Sequence, residues 1–371
     1  MSEIEAQSDS AEPQRLFTFR SGGWVILITA LGSLALIIWA VAPALMHSFS
    51  RPPGDGTQIE TYRFDLTNCL VEKSLIVPAM LHRDMVPFMS NPNIMSGSDV
   101  ARLNAEERGK FLVSSDRVIG VEIGGESRAY PISILNVHEI INDTLGGIPI
   151  VVTYHWTCDS VRVFQREVEG STVEFGISGL LYNSNLLMYI RGDADPESED
   201  HQPESLWCQL QARAITGDHA ADGQTLNVIR ATLTNWAQWL TRHPDTTVIT
   251  RDPAFAKRYK GAEPTSYFLS DNLIAPVQPM PETDAIGLKD KVIAIRGETI
   301  NRVYPLRVIA RNLDDEGVWL DPFPSGSVRF EAYDDAGKTV LVTVESESPL
   351  EVIHGFWFAL HGMFPELELV Q

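Results

Sequence analysis

The chain has 371 residues, of which 44% are hydrophobic and 21% are charged, so its composition is that of a globular protein with a substantial core. Its 29 basic and 49 acidic side chains give a formal charge of −20, and because such a surface repels phosphate backbones, we expect no nucleic-acid partner. Three cysteines, Cys69, Cys158 and Cys208, exclude a disulfide framework and leave at least one thiol unpaired, although one bridge between two of them stays open.

An apolar run near the N-terminus is the first predicted element. Residues 24–46 carry no charged side chain and consist mainly of Val, Ile, Leu and Ala. As a helix the run would be roughly 34 Å long, which is enough to cross a hydrocarbon core of roughly 30 Å. It predicts one transmembrane helix, preceded by a leader of residues 1–23 and followed by a turn-rich linker of residues 47–61.

Two other interpretations of this run stay open. A buried helix of a soluble domain would carry polar residues at helical spacing, which the run lacks. A cleaved signal peptide is the stronger alternative, because Ala42 and Ala44 form an A-x-A-like pattern.

The sequence indicates the orientation of the chain in the membrane less strongly than it indicates the helix. Arg15 and Arg20 precede the run while Arg51 and Arg63 follow it, so the rule based on basic residues is nearly balanced. An N-terminal anchor ahead of a folded body commonly exports that body. We therefore expect a single-pass protein of the cell (inner) membrane, held there by its N-terminal helix, with a short cytoplasmic leader and an extracytoplasmic bulk.

The rest of the chain, residues 62–371, predicts one large α+β domain that is rich in β-structure. Strand-like runs separated by Gly, Asn and Asp recur, for example at residues 118–123, 148–154, 161–164 and 173–177. Helical patterns are fewer and cover residues 99–111, 134–141 and 232–242. Residues 192–203 predict a solvated acidic loop.

The domain contains an internal repeat. Residues 118–135 match residues 292–309 without a gap, so that Arg128, Tyr130 and Pro131 pair with Arg302, Tyr304 and Pro305. A second stretch follows in the same order, in which residues 160–173 match residues 327–340. We therefore predict a partial duplication with a first unit at about 118–177 and a second at about 292–343. Chance similarity between β-hairpins of like composition is the alternative.

The first copy carries side chains that the second copy lacks. Residues 136–159 correspond to the shorter segment 310–326. Only the first segment holds His138, Glu139, His155 and Cys158, and the second has no His or Cys. Residues shared by both copies are those that both need to fold. The additional side chains therefore favour a functional site on one copy of a shared framework.

His155 and Cys158 place an imidazole and a thiol three positions apart after a strongly β-forming run. At a strand end this spacing lets both side chains converge on one centre, and nitrogen with sulfur suits zinc or copper. His138 is a candidate third ligand and Met188 a weak fourth, which completes the ligand set of a blue-copper centre. The alternative is that Cys158 is a small buried hydrophobe or half of a disulfide, that the histidines hydrogen-bond in a polar core and that Met188 packs.

A hydrolase is a further hypothesis. Residues 176–179 resemble half of a nucleophile elbow, in which Ser178 would act with His138 and Asp143, but Leu180 stands where the closing Gly is required. No phosphate-cradling Gly-rich loop precedes a helix in the sequence, so nucleotide chemistry has no support.

Many ordered pieces of the chain resemble an uncharacterised prokaryotic family, the domain of unknown function DUF3179, over roughly residues 62–364. The matching pieces are FDLTN at 64–68, Arg83, Asp84 and Pro87, VIGV at 118–121, AYP at 129–131, HEIIND at 138–143, VTY at 152–154, FGISG at 175–179, LMY at 187–189, SLW at 205–207, Trp236 and Trp239, His243 and Pro244, and Trp357 and Phe358.

The resemblance implies no activity, but members look like exported or membrane-anchored proteins, which agrees with the expected orientation. Many members of the family look alike in carrying Cys-Pro-Leu-Cys at the position of residues 155–158. In this chain His155 stands in place of the first cysteine, and Cys158 in place of the second. A dithiol redox pair is thereby excluded here, whereas a metal site survives the exchange. The Asp that usually follows Met-Tyr in the family is Ile190 in this chain.

Together these patterns predict a metal-binding or redox-linked accessory protein of the cell envelope, with candidate ligands His138, His155, Cys158 and Met188 and with copper or zinc as the metal. A non-catalytic binding or scaffold module and a hydrolase using Ser178 are the two alternatives. The sequence assigns no envelope protein as a partner.

Overall fold

The computed structural model describes residues 23–49, 52–106, 110–192, 204–260, 264–332 and 340–371. The chain divides into two compact parts, one ending at Pro52 and the other covering Pro53–Gln371. Residues 1–22 of the predicted leader and residues 193–203 of the predicted acidic loop lie outside the described residues.

The helices of the described residues are short apart from the first. They are α1 (Gly23–Phe49), α2 (Asp99–Glu106), α3 (Ile132–His138), α4 (Gly217–Ala221), α5 (Trp236–Arg242), α6 (Thr265–Phe268), α7 (Leu306–Asn312) and α8 (Trp357–Met363), with 3-10 turns at Ile59–Tyr62, Lys73–Leu75 and Pro253–Phe255. Residues 24–46 are therefore helical, as predicted. However, a search of the described residues finds no helix that is long and apolar enough to cross a membrane.

Strands dominate the second part of the chain. They are β1 (Ile76–Pro78), β2 (Met89–Ser90), β3 (Ile94–Ser96), β4 (Arg117–Ile123), β5 (Glu126–Pro131), β6 (Ile140–Leu145), β7 (Ile148–His155), β8 (Ser160–Gln165), β9 (Glu167–Val168), β10 (Ser171–Thr172), β11 (Phe175–Tyr182), β12 (Asn185–Ile190), β13 (Leu206–Cys208), β14 (Arg213–Ala214), β15 (Val228–Ile229), β16 (Ala231–Asn235), β17 (Thr247–Ile249), β18 (Lys291–Arg296), β19 (Asn301–Pro305), β20 (Val318–Phe323), β21 (Gly326–Ala332), β22 (Val340–Ser346), β23 (Glu351–Phe356) and β24 (Glu368–Leu369). The predicted α+β, β-rich class is confirmed.

These strands form several sheets. The largest has the order β2-β6-β7-β8-β23-β18-β19-β24, with β15 paired to β8. Two five-stranded sheets have the orders β16-β4-β5-β17-β3 and β1-β11-β12-β13-β14, and a three-stranded sheet has the order β20-β21-β22. Strands β9 and β10 form a small separate hairpin.

Two groups of four strands share one order and one set of directions. In the first β unit, β16-β4-β5-β17, the outer pairings are antiparallel at β16 and parallel at β17. In the second β unit, β23-β18-β19-β24, they are antiparallel at β23 and parallel at β24. The registers also agree, because Val118 faces Pro131 in the first hairpin as Val292 faces Pro305 in the second. A helix follows each hairpin, α3 in one unit and α7 in the other.

The second stretch of the predicted repeat does not follow this order. Residues 160–163 lie on β8, the third strand after α3, whereas residues 327–330 lie on β21, the second strand after α7. Alternating Val and Phe patterns are alike in all strands that share a core, so a match by composition can slip by one strand. Residues 333–339 of this stretch lie outside the described residues.

All three predicted helices are shorter than expected, and the helix predicted at 99–111 is α2, Asp99–Glu106. The pattern at 134–141 ends as a helix at His138, because Glu139 takes φ 54 and turns the chain directly into β6. The pattern at 232–242 begins as strand β16, and helix α5 starts only at Trp236. There the Asn235 side chain accepts the Gln238 N–H, which caps the new helix.

Close packing of helix on sheet explains one glycine. A Cβ on Gly120 of β4 would collide with the ring of Trp239 on α5. The glycine therefore lets the indole lie against the strand. In β18 successive residues serve two cores, since Val292 packs in one cluster and Ile293 in another.

Candidate functional site

The structure places His138 at the end of α3 with both ring nitrogens already engaged. Nδ1 lies 2.6 Å from the Pro87 carbonyl oxygen and Nε2 lies 2.6 Å from the Tyr259 hydroxyl. The ring also packs edge-on against Phe255. Burial lowers the pKa of His138, so its neutral form is favoured.

His155 and Cys158 both contact the hydroxyl of Thr157. His155 Nε2 is 2.6 Å from Thr157 Oγ1, and Cys158 Sγ is 3.8 Å from the same oxygen. Cys158 also donates to the Ser184 carbonyl over 3.1 Å. Burial raises the pKa of the Cys158 thiol to about 12, so the protonated form prevails in the fold.

Glu139 faces His155 across a buried gap. Its Oε2 lies 3.5 Å from His155 Nδ1, and neither atom has a hydrogen-bond partner among the described residues. Both side chains are almost fully buried. The positive φ of Glu139 is a strained conformation for a residue other than glycine, and it is this turn that brings the carboxylate to the imidazole.

Met188 lies in a different hydrophobic cluster from Cys158. It packs with Phe175 and Trp207, whereas Cys158 belongs to the cluster around Phe356. Within the described ranges no group of three or more His, Cys, Asp or Glu side chains could hold a metal ion. All three cysteines are free thiols in the structure.

Ser178 and Asp143 both have structural partners. Ser178 is buried in β11 and its hydroxyl donates to the Leu187 carbonyl over 2.6 Å. Asp143 accepts from Arg128 over 2.6 Å and from Tyr130 over 2.7 Å. These contacts engage both residues in holding strands together.

A group of charges that the sequence did not single out lies at the turn between β7 and β8. Asp159 accepts a bidentate pair of bonds from Arg117, of 2.8 and 3.0 Å. It also accepts from the Tyr154 hydroxyl over 2.8 Å and lies 3.2 Å from Lys291 Nζ. The Asp159 side chain is 3% exposed, against 28% for Arg117 and 41% for Lys291. One buried carboxylate thus faces two cations that reach solvent.

These cations border a cavity of about 380 Å³, here named the lysine cavity. It lies between the first and second β units and includes apolar wall residues from both. Its lining consists of Ser115, Arg117, Asp159, Leu233, Thr234, Asn235, Lys291, Val292, Ile293, Leu306, Val340, His354 and Gly355. A volume of this size is that of a small-molecule site.

The electrostatics of the lysine cavity leave it cationic. Burial and the neighbouring Arg117 charge lower the pKa of Lys291. Burial, reinforced by Arg117, lowers the pKa of His354 to about 4, so this imidazole is neutral near pH 7. Burial alone would raise the pKa of Asp159, but Arg117 and Lys291 outweigh it and lower the pKa. Arg117 and Lys291 thus both pair with the one carboxylate of Asp159, while His354 adds no charge near pH 7.

Arg117 and Lys291 occupy equivalent places in the two β units. Arg117 is the first residue of β4 and faces Asn235, while Lys291 is the first residue of β18 and faces Phe356. The sequence signal was present, because an Asp-Arg pair precedes Val118 and an Asp-Lys pair precedes Val292. The predicted repeat began one residue too late to include them.

Comparison with known proteins identifies one family. A family model described as "Protein of unknown function (DUF3179)" matches residues 83–343. The search of curated proteins gave no match. The search of solved structures also gave none.

Proposed function

Because the chain belongs to the DUF3179 family, whose description assigns no activity, we propose a function from the geometry alone: the body is a binding module for a small organic anion. The observation that carries this proposal is the excess positive charge of Arg117 and Lys291 over Asp159 beside the lysine cavity. The chain as a whole has a net charge of −20, so an excess of positive charge beside a cavity departs from the average of the surface.

The lining also indicates the shape of the ligand. Lys291 Nζ is a compact, partly exposed charge that keeps hydrogen-bond donors for a ligand beyond its contact with Asp159. Leu233, Leu306 and Val340 supply an apolar wall in the same cavity. A carboxylate attached to a small apolar body satisfies both features.

Benzoate and benzyl alcohol form a matched pair of probes, since they share the ring and differ in the carboxylate. We expect the purified full chain to bind benzoate more tightly than benzyl alcohol in calorimetry. Lys291→Met should lower the affinity for benzoate by about tenfold and thereby remove most of this preference. Lys73→Met is the control, because Lys73 is exposed and pairs only loosely with Glu60 over 3.5 Å. Equal binding of both probes, or equal losses in both variants, would contradict the proposal.

Binding of copper or zinc near His155 and Cys158 is a second proposal. The observation that favours it is the buried pair Glu139 Oε2 and His155 Nδ1, which leaves two ligand-type atoms without partners among the described residues. His138 and Met188 remain candidate ligands only if their present contacts are exchanged on binding. Metal analysis of the purified full chain tests this proposal.

We also propose that α1 anchors the protein in the cell (inner) membrane with the body outside the cytoplasm. The support is the uncharged run of residues 24–46 and the exposure of its described apolar side chains, such as Ile26 and Trp39. A benzoate-like ligand would then be met in the cell envelope.

The two β units are, we infer, products of a duplication. Their shared strand order and register support this, and so does a repeated cluster of side chains. Asp321 accepts hydrogen bonds from Tyr304 over 2.7 Å and from Arg302 over 2.9 Å. Asp143 accepts in the same way from Tyr130 and Arg128. The recurrence of the same three partners favours duplication over chance similarity of hairpins.

A further inference from the structure

A second cavity also has His354 in its lining, and it contains two arginines. It has a volume of about 460 Å³ and is here named the arginine cavity. Arg162 of β8 and Arg230, which precedes β16, line it together with Ser346 of β22 and Glu351 of β23. None of these four residues belongs to the lining of the lysine cavity.

Arg162 is buried with most of its donors unused. Its side chain is 1% exposed, and Nη2 lies 3.1 Å from Glu351 Oε1. Nε and Nη1 are buried and have no hydrogen-bond partner among the described residues. Burial lowers the pKa of Arg162, with Glu351 opposing the effect, but a guanidinium stays charged at any physiological pH. A buried cation with unused N–H groups calls for a negatively charged acceptor.

The charges around Arg162 do not balance within the described residues. Glu351 is shared, since its Oε2 also lies 3.6 Å from Arg296. Arg230 donates through Nη2 to the Val342 carbonyl over 3.1 Å, which is a neutral acceptor. Arg296 has a second and nearer carboxylate partner in Glu366, over 3.2 Å. The lining of the cavity itself therefore holds two guanidinium groups and one carboxylate, which favours an anion.

We propose that the arginine cavity binds a phosphate group, either free phosphate or a phosphomonoester. Two guanidinium groups match the oxygens of a phosphate, which has more acceptor sites than a carboxylate. The lining adds the hydroxyls of Ser346 and Ser348. Ser346 Oγ accepts the N–H of Ser348 over 3.2 Å, so its own proton is available to a ligand. This site is additional to the benzoate-type site of the lysine cavity and does not depend on it.

Calorimetry of the purified full chain with inorganic phosphate tests the proposal, with glycerol phosphate as a second probe and acetate as the comparison anion. Arg230→Gln should weaken phosphate binding by about tenfold or more. Glu351→Gln should strengthen it, because the variant removes a negative charge that competes for Arg162. Arg102→Gln on the exposed helix α2 is the control for charge and should leave the affinity unchanged. Thermal unfolding of each variant establishes that it is folded.

The opposite signs of the two cavity variants separate binding from a purely structural role. Tighter binding of glycerol phosphate than of inorganic phosphate identifies a phosphomonoester, and the reverse identifies free phosphate. Absence of binding at millimolar phosphate, or equal affinity for acetate, would overturn the proposal, as would weaker binding by a folded Glu351→Gln variant. Lys291→Met should leave phosphate binding intact. Failure of the lysine-cavity proposal, which the benzoate measurements test, is therefore distinguishable from failure of this one.

Discussion

His354 has a pKa that its neighbours determine. It lies on β23 at the border of both cavities, and its ring stays neutral because burial and the cations Arg117 and Lys291 disfavour a third positive charge, with Asp159 only partly opposing them. Nothing in the sequence around position 354 indicates this shift. It arises from side chains on β4, β18 and the β7–β8 turn.

The lowered pKa of His354 predicts a dependence of stability on pH. The unfolded imidazole titrates near 6.5 and the folded one near 4. Between pH 6.5 and pH 4 the imidazole is therefore protonated in the unfolded state but not in the folded state. The free energy of unfolding falls as the pH drops toward 4. We expect the contribution of His354 to be on the order of 1 kcal/mol, since the side chain is only partly buried.

Urea unfolding of the wild type and of His354→Asn between pH 7.5 and 4.5 measures this effect. The variant should lose less stability than the wild type over that range. His138, whose pKa is also lowered by burial, adds a slope of the same sign to both proteins. Parallel pH profiles for the two proteins would refute the assignment to His354.

At the scale of elements, the two hairpins carry the same Arg-Tyr-Asp cluster in different surroundings. Asp143 is 6% exposed beside Arg128, which is 8% exposed. Asp321 is 21% exposed beside Arg302, which is 32% exposed. Each cluster ties a hairpin to the first strand after its helix, β6 in one case and β20 in the other.

Substitution of the two aspartates should destabilise the fold to different extents. Asp143→Asn leaves a buried guanidinium without its counter-charge and should lower the free energy of unfolding by about 3 kcal/mol. Asp321→Asn acts at a more exposed pair and should lower it by about 1 kcal/mol. Urea denaturation checks both values, and each variant is the control for the other. An effect of Asp321→Asn larger than that of Asp143→Asn would mean that burial does not set the strength of these clusters.

For the whole molecule, the proposed anchor α1 and the proposed binding module lie in different compact parts of the chain, the second of which is Pro53–Gln371. If α1 is an anchor, the full chain should stay in the membrane pellet after an alkaline carbonate wash. A chain beginning at Pro53 should be released. Mass spectrometry of the N-terminus distinguishes a retained helix from a signal peptide cleaved after Ala44. Recovery of the uncleaved full chain in the supernatant would contradict the anchor.

The sequence by itself determined the β-rich class and the match between residues 118–135 and 292–309, because strand alternation and turn residues act over a few positions. It also placed His155 and Cys158 at one strand end, where both side chains contact Thr157. Local patterns did not locate the change from strand β16 to helix α5, where an Asn cap decides the boundary.

Only the tertiary structure decided which distant charges meet. Arg117 and Lys291 reach one carboxylate because β4 and β18 begin on either side of the β7–β8 turn, and His138 is engaged by Pro87 and Tyr259 from remote segments. Such contacts depend on how the sheets assemble around their shared cores. That assembly is not encoded by the residues adjacent to each position in the sequence.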